Sequence, residues 1–237
     1  MSKLLSKFTY KMNSRSVFLA ALILATTAPV SPAQTNVPAA PLSPEQQAFL
    51  KRKAAPIGVL FIGDEITAGW NGAGRAVWTS RYAKLDAANF GVNGDRTEQL
   101  RSRIANGELD GISPKVVILM IGANNNNESA PRITANVTAI VKQINTKLPQ
   151  SKLLLLGIFP RGFLATDRLR AKIAAVNAEL AKLHDGQKTF YLEIWEPFLA
   201  ESGWIPKETM PDAMHLSARG YQIWADAMQP TLDALLK

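Results

Sequence analysis

Four short stretches of this chain carry reactive or anion-binding residues, three of them at the ends of apolar runs. After "VLFIG" come Asp64 and Glu65; after "NFGV" come Asn93, Gly94 and Asp95; after "VVILMIG" come Ala123 and the run Asn124 to Asn127. Near the C-terminus, "PDAMHLSARGY" sets Asp212 three residues before His215. A neutral imidazole is the usual group able to take a hydroxyl proton near neutral pH and return it to a leaving group. A carboxylate close to it in sequence can orient it. Asn124 offers amide N–H groups, and Gly94 lets a backbone N–H approach without a Cβ in the way, so both suit stabilisation of an oxyanion. Each has a plainer reading too: His215 as a surface histidine, Gly94 and Asn124 as turn residues. Glu65 is the puzzle, because it stands where a nucleophile is expected and a carboxylate lacks the transferable hydroxyl proton of a serine.

The elements that must carry these residues are legible as periodicity. "IGVLFIG", "AANFGV", "KVVILMIG", "KLLLLGIF" and "TFYLEI" are apolar throughout, as strands covered on both faces are. Between them, Ile133, Val137, Ile140, Val141, Ile144 and Leu148 recur at helical spacing, and so do Leu169, Ile173, Val176, Leu180 and Leu183. The closing segment from Ser217 to Leu236 reads as a helix, bent or broken at Pro230. Such alternation predicts an α/β fold, a three-layer α/β/α sandwich around a flavodoxin-like parallel sheet of about five strands. Ligands of such sheets bind beyond the carboxyl ends of the strands, so the rim that follows the first three stretches is where all four can meet. No internal repeat is visible.

Composition narrows the rest. With 237 residues, 47% of them hydrophobic, one globular domain over residues 57–237 is expected. Lys3, Lys7, Lys11 and Arg15 precede the apolar run Val17 to Ala25, with small Ser31 and Ala33 before Gln34. This is the layout of a secretory signal over residues 1–33, so the mature chain is expected to start near Gln34 and to be exported, periplasmic or secreted. The run is too short to span a bilayer, which makes a retained anchor the lesser reading and leaves no membrane span in the mature chain. Residues 34–56 read as a Pro/Ala linker that becomes a short polar helix.

There is no cysteine, which excludes disulfides, a thiol nucleophile and a lipidated N-terminal cysteine. The chain has 27 basic and 19 acidic residues, and the leader holds four of the basic ones, leaving 23 against 19, a net charge of +4. That is too mild to argue for nucleic acid and reads as a solvated basic surface.

Taken together, the four stretches resemble the SGNH hydrolases, the GDSL esterases and lipases, over about Ile57 to Leu236. "NFGVNGDRTEQLRSRIANGELDGISPKVVILMIGANNN" and "LGIFPRG" are most similar to the branch containing the catalytic subunits of platelet-activating-factor acetylhydrolase. The resemblance implies roles residue by residue. Gly63, Asp64 and Glu65 match a Gly-Asp-Ser block whose serine is nucleophile and oxyanion-hole donor, so Glu65 stands in the serine's place. Gly94 matches the glycine, and Asn124 the asparagine, that complete the oxyanion hole. Asp212 and His215 match the orienting acid and the general base. No metal or organic cofactor is implied.

Neither Thr67 nor Ser80 occupies the nucleophile's position, so replacement of the serine from nearby is not expected. Three readings of Glu65 stay open. The domain has lost acyl-enzyme chemistry and binds a ligand, with Glu65 held by backbone N–H groups and paired to His215. Or Glu65 itself attacks an acyl group or activates water. Or the glutamate is an introduced residue in an otherwise working serine esterase. A negative charge beside the developing oxyanion opposes its stabilisation, which favours weak or absent esterase activity. The ligand expected is a small acyl ester of a lipid or sugar; a non-catalytic carbohydrate- or lipid-binding module is the alternative. Oligomeric state stays open. Asn125 to Asn127 are read as loop chemistry, His184 as solvated, and the five tryptophans are given no role.

Overall fold

The computed structural model describes residues 44–237. The leader expected over residues 1–33 and the first part of the linker, residues 34–43, lie outside the described residues.

Each apolar run contains a strand: β1 (Val59–Gly63), β2 (Ala88–Gly91), β3 (Val116–Met120), β4 (Lys152–Leu156) and β5 (Thr189–Leu192). They form one sheet in the order β2-β1-β3-β4-β5, every pairing parallel. All residues of β1 and β3 are buried, which is why these strands do not alternate apolar with polar. The order reverses direction at β1, whose two neighbours are β2 and β3. That reversal opens the crevice at the strands' carboxyl ends.

Among the described residues seven α-helices flank the sheet: α1 (Pro44–Arg52), α2 (Glu65–Ala68), α3 (Arg75–Arg81), α4 (Thr97–Ala105), α5 (Ala130–Lys147), α6 (Arg168–Leu180) and α7 (Ala218–Leu236). The packing pairs α4 with α5 and α5 with α6 on one side, and α3 with α7 on the other, with α7 resting on β3. This is the three-layer α/β/α arrangement expected. Helix α5 buries Ile133, Val137, Ile140, Val141 and Ile144, the stripe read from the sequence.

Helix α7 is not broken at Pro230, which lies inside its run. Pro230 removes one backbone hydrogen bond, but Trp224, Met228, Leu232 and Leu235 bury an apolar face on both sides of it and carry the helix through. At its end, Lys152 Nζ, from the first residue of β4, donates to the Leu235 carbonyl oxygen at 2.9 Å. The short helix expected after the linker is α1, fastened by Phe49 stacking on Phe90 of β2 with ring centroids 4.4 Å apart. Trp70 and Trp224 are core, 4.9 Å apart; Trp78 is half-buried and Trp204 exposed.

Candidate active site

Where β1 ends, Asp64 turns the chain into α2. Its backbone is extended, and its side chain accepts from the Ile66 N–H at 3.0 Å, capping the helix. This puts Glu65 at the first helical position. Helix α2 lies directly over the end of β2, since a Cβ on Gly91 would stand 2.2 Å from the Ala68 nitrogen; only a glycine permits that approach.

The loop after β2 then brings up its N–H groups. Val92 N donates to the Gly63 carbonyl oxygen at 3.1 Å, continuing the sheet pairing, and Asp95 N donates back to Val92 O at 3.2 Å, closing a turn. Gly94 in that turn has φ of +76°, a left-handed conformation that costs an L-residue about 1–2 kcal/mol. The turn aims the Gly94 N–H at Glu65, whose Oε2 accepts it at 3.1 Å. The same oxygen accepts from Asn124 Nδ2 at 2.6 Å, and that nitrogen also donates to the Asp95 carbonyl oxygen at 3.0 Å.

Asp212 and His215 form a compact unit on the loop before α7. Asp212 Oδ1 accepts from the backbone N–H groups of Met214 and His215 at 3.1 and 2.7 Å, while Oδ2 lies 2.6 Å from His215 Nδ1. Ala213 between them has φ of 60°, unusual for a residue with a side chain, and folds the turn back on itself. Partial burial pushes the Asp212 carboxyl up, but the hydrogen bonds from the His215 ring and from both backbone N–H groups outweigh it and hold the pKa below the ordinary value. An ionised Asp212 can only accept, so Nδ1 carries the proton and Nε2 is the free ring nitrogen.

Glu65, Gly94 and His215 line one open cleft of about 920 Å³, shared with Phe49, Arg52 and Trp78. The structure therefore brings together the residues singled out from sequence, with one correction. The expected pair between Glu65 and His215 is not the one that forms: Glu65 turns to Gly94 and Asn124, and His215 turns to Asp212. Two N–H donors converge on one carboxylate oxygen and satisfy it, while Asp212, three residues away, already holds the imidazole. The adjoining helix α1 supplies Ala48, Phe49 and Arg52 to the cleft wall, and Trp78 comes from α3; nothing in their spacing signals this.

A buried charge cluster lies behind the cleft. Asp64 has no solvent exposure, and burial first, then the neighbouring Glu65 charge, holds its carboxyl well above the usual carboxylate range. Its Oδ2 is buried without a hydrogen-bond partner. Asp95 and Glu108 are likewise pushed up by burial, against the opposing pull of Arg103, whose guanidinium contacts both.

The run after Asn124 is more than loop filler. Asn125 is fully buried: its Oδ1 accepts from Thr97 N at 3.1 Å, and its Nδ2 donates to Thr97 Oγ1, Glu98 and Glu128. Asn126 accepts from Arg161 at 2.9 Å. His184 is exposed, as read, but its Nδ1 accepts from Tyr191 N at 3.1 Å. Among the described residues no group of three or more acidic or histidine side chains could hold a metal ion, and no helix is long and apolar enough to cross a membrane.

Residues 61–223 match the model of the GDSL-like lipase/acylhydrolase family. The chain is 34% identical over 179 residues to platelet-activating factor acetylhydrolase IB subunit alpha1 of Bos taurus, covering 75% of this chain and 76% of that one. It is 37% identical over 167 residues to subunit alpha2 of Rattus norvegicus, covering 69% and 70%. The crystal structure of a GDSL-like lipase from Bacteroides thetaiotaomicron superposes with a TM-score of 0.64 at 18% identity, covering 80% of this chain and 97% of that one, and so shares the fold. A matched span from the first strand into the last helix, with relatives above 30% identity, identifies this chain as a member of the GDSL-like lipase/acylhydrolase family.

Proposed function

We propose that the cleft binds small acyl esters, acetyl esters of lipids or sugars, and that the chain as it stands hydrolyses them weakly or not at all. One observation carries this reading. Glu65 Oε2 occupies the two donors, Gly94 N–H and the Asn124 amide, that an ester oxyanion would need. A carboxylate parked there blocks catalysis twice: it supplies no hydroxyl nucleophile, and it fills with its own negative charge the place where charge must develop. Asp212 and His215 meanwhile stand ready as orienting acid and base, with no hydroxyl to act on. The relatives named as platelet-activating factor acetylhydrolases support an acetyl ester as ligand.

The decisive variant is Glu65→Ser. The unaltered protein is expected to show little hydrolysis of short-chain aryl esters and no fluorophosphonate labelling at position 65. The serine variant gains both, the rate by at least about a hundredfold, because an intact triad supplies several powers of ten beyond the oxyanion hole. Adding His215→Ala removes most of the gain. A folded Glu65→Ser protein without activity would favour a non-catalytic carbohydrate- or lipid-binding module. Strong activity in the unaltered protein, lost in Glu65→Gln, would make the glutamate itself catalytic.

We also propose export, supported by four basic residues ahead of the apolar run Val17 to Ala25. Mass spectrometry of the chain recovered outside the cytoplasm is expected to give an N-terminus near Gln34; an intact Met1 there would overturn cleavage.

A further inference from the structure

Both donors to Glu65 hang from one residue, Asp95. The Gly94 N–H belongs to the residue before it, and the Asn124 amide is steadied by the Asp95 carbonyl oxygen. The carboxylate of Asp95 is buried and, among the described residues, pairs with Arg103 on α4, with Arg103 Nε at 2.8 Å and a terminal nitrogen at 2.7 Å. The same guanidinium donates to Glu108 and, at 3.4 Å each, to the carbonyl oxygens of Gly63 at the end of β1 and Phe90 near the end of β2. Its face lies 5.8 Å from the Phe49 ring centroid on α1.

We propose that Arg103 is the positioning residue of the anion site: it fixes the loop of Gly94 and Asp95 to the ends of β1 and β2, and through Asp95 sets the direction of both N–H donors. The proposal rests on reading those donors as an oxyanion site. The chemistry of guanidinium suits the task. Its planar fork of five N–H donors serves two carboxylates and two carbonyls at once, which the compact ammonium of lysine cannot do. Without it, Asp95 is a buried carboxylate with no counter-charge, and it either takes up a proton or turns to water. Either change releases the turn that points Gly94 at Glu65.

A merely structural role, clamping α4 to the sheet, makes a different prediction, and Glu108 separates the two. Asp95→Ala and Glu108→Ala each remove one carboxylate partner of Arg103, but only Asp95 connects to the donors. The first measurement is NMR of the protein with Glu65 intact, following the Gly94 amide proton and the Asn124 side-chain amide. Both are expected to move upfield in Arg103→Gln and Asp95→Ala and to stay in place in Glu108→Ala, with Arg103→Lys restoring only part of the shift. The second uses the Glu65→Ser background, where Arg103→Gln is expected to lower kcat at least tenfold with KM within about twofold, since the donors act on the transition state. Equal shifts in Asp95→Ala and Glu108→Ala, or unmoved resonances in a folded Arg103→Gln protein, overturn the proposal. If Arg103→Gln does not fold, the Asp95 and Glu108 variants decide. An inactive Glu65→Ser protein counts against the esterase reading alone, because the resonances judge Arg103 independently.

Discussion

Asp64 touches no solvent, yet it carries charge-sensitive weight directly under the candidate site. Its carboxyl is held above the ordinary range by burial and by Glu65, so the folded protein keeps a proton there that the unfolded chain releases near pH 4. Between that pH and the folded value, the native state binds more protons than the unfolded state. Stability therefore falls as pH rises through this window, by up to ~1.4 kcal/mol per pH unit from this group. Asp64→Asn keeps an oxygen for the Ile66 N–H and removes the titration. Urea melts are expected to show the variant gaining on the unaltered protein from pH 4 to pH 8; a gap that is the same at both pH values would refute a neutral Asp64. At the same scale, the convergence of Glu65, Gly94, Asn124, Asp212 and His215 was legible because the first three follow recognisable strands and all five match family blocks. The hydrogen-bond partner of Glu65 was not. Two carboxylates near one imidazole leave the pairing to loop geometry, and a spacing of three residues decides only for Asp212.

Helix α4 organises the site from behind. Its first residue receives Asn125, and Arg103 in its last turn receives Asp95, so one rigid rod fixes the loops after both β2 and β3. Asn125→Ala leaves the buried Thr97 N–H without its acceptor. At about 1–3 kcal/mol for an unsatisfied buried donor, and with the lost bonds to Glu98 and Glu128 in addition, a loss of about 2–3 kcal/mol is expected in denaturant unfolding. A loss below about 0.5 kcal/mol would return Asn125 to the status of loop filler. The strands and long helices themselves were readable, since the periodicity of β3 or α5 reports burial that the residues themselves carry. Asn125 was not, because an asparagine beside other asparagines looks the same whether it faces water or a helix terminus. The persistence of α7 through Pro230 has the same cause: a local rule predicted a bend or a break, and packing on both sides of the proline kept the helix unbroken.

At the scale of the whole molecule, parallel strands give the sheet two unlike rims. The carboxyl rim holds Glu65 and the loops after β2 and β3. The other rim begins β4 with Lys152, and the grip of that lysine on the Leu235 carbonyl brings the end of α7, at Leu236, to that rim. A tether joined after Lys237 therefore leaves from the side of the domain remote from the cleft. Protein captured on a sensor surface through a C-terminal tag is expected to bind soluble ester analogues as it does free in solution. Capture through a cysteine placed at Asn71, which lines the cleft, is expected to weaken that binding. An attachment at Lys237 leaves the entrance of the cleft open.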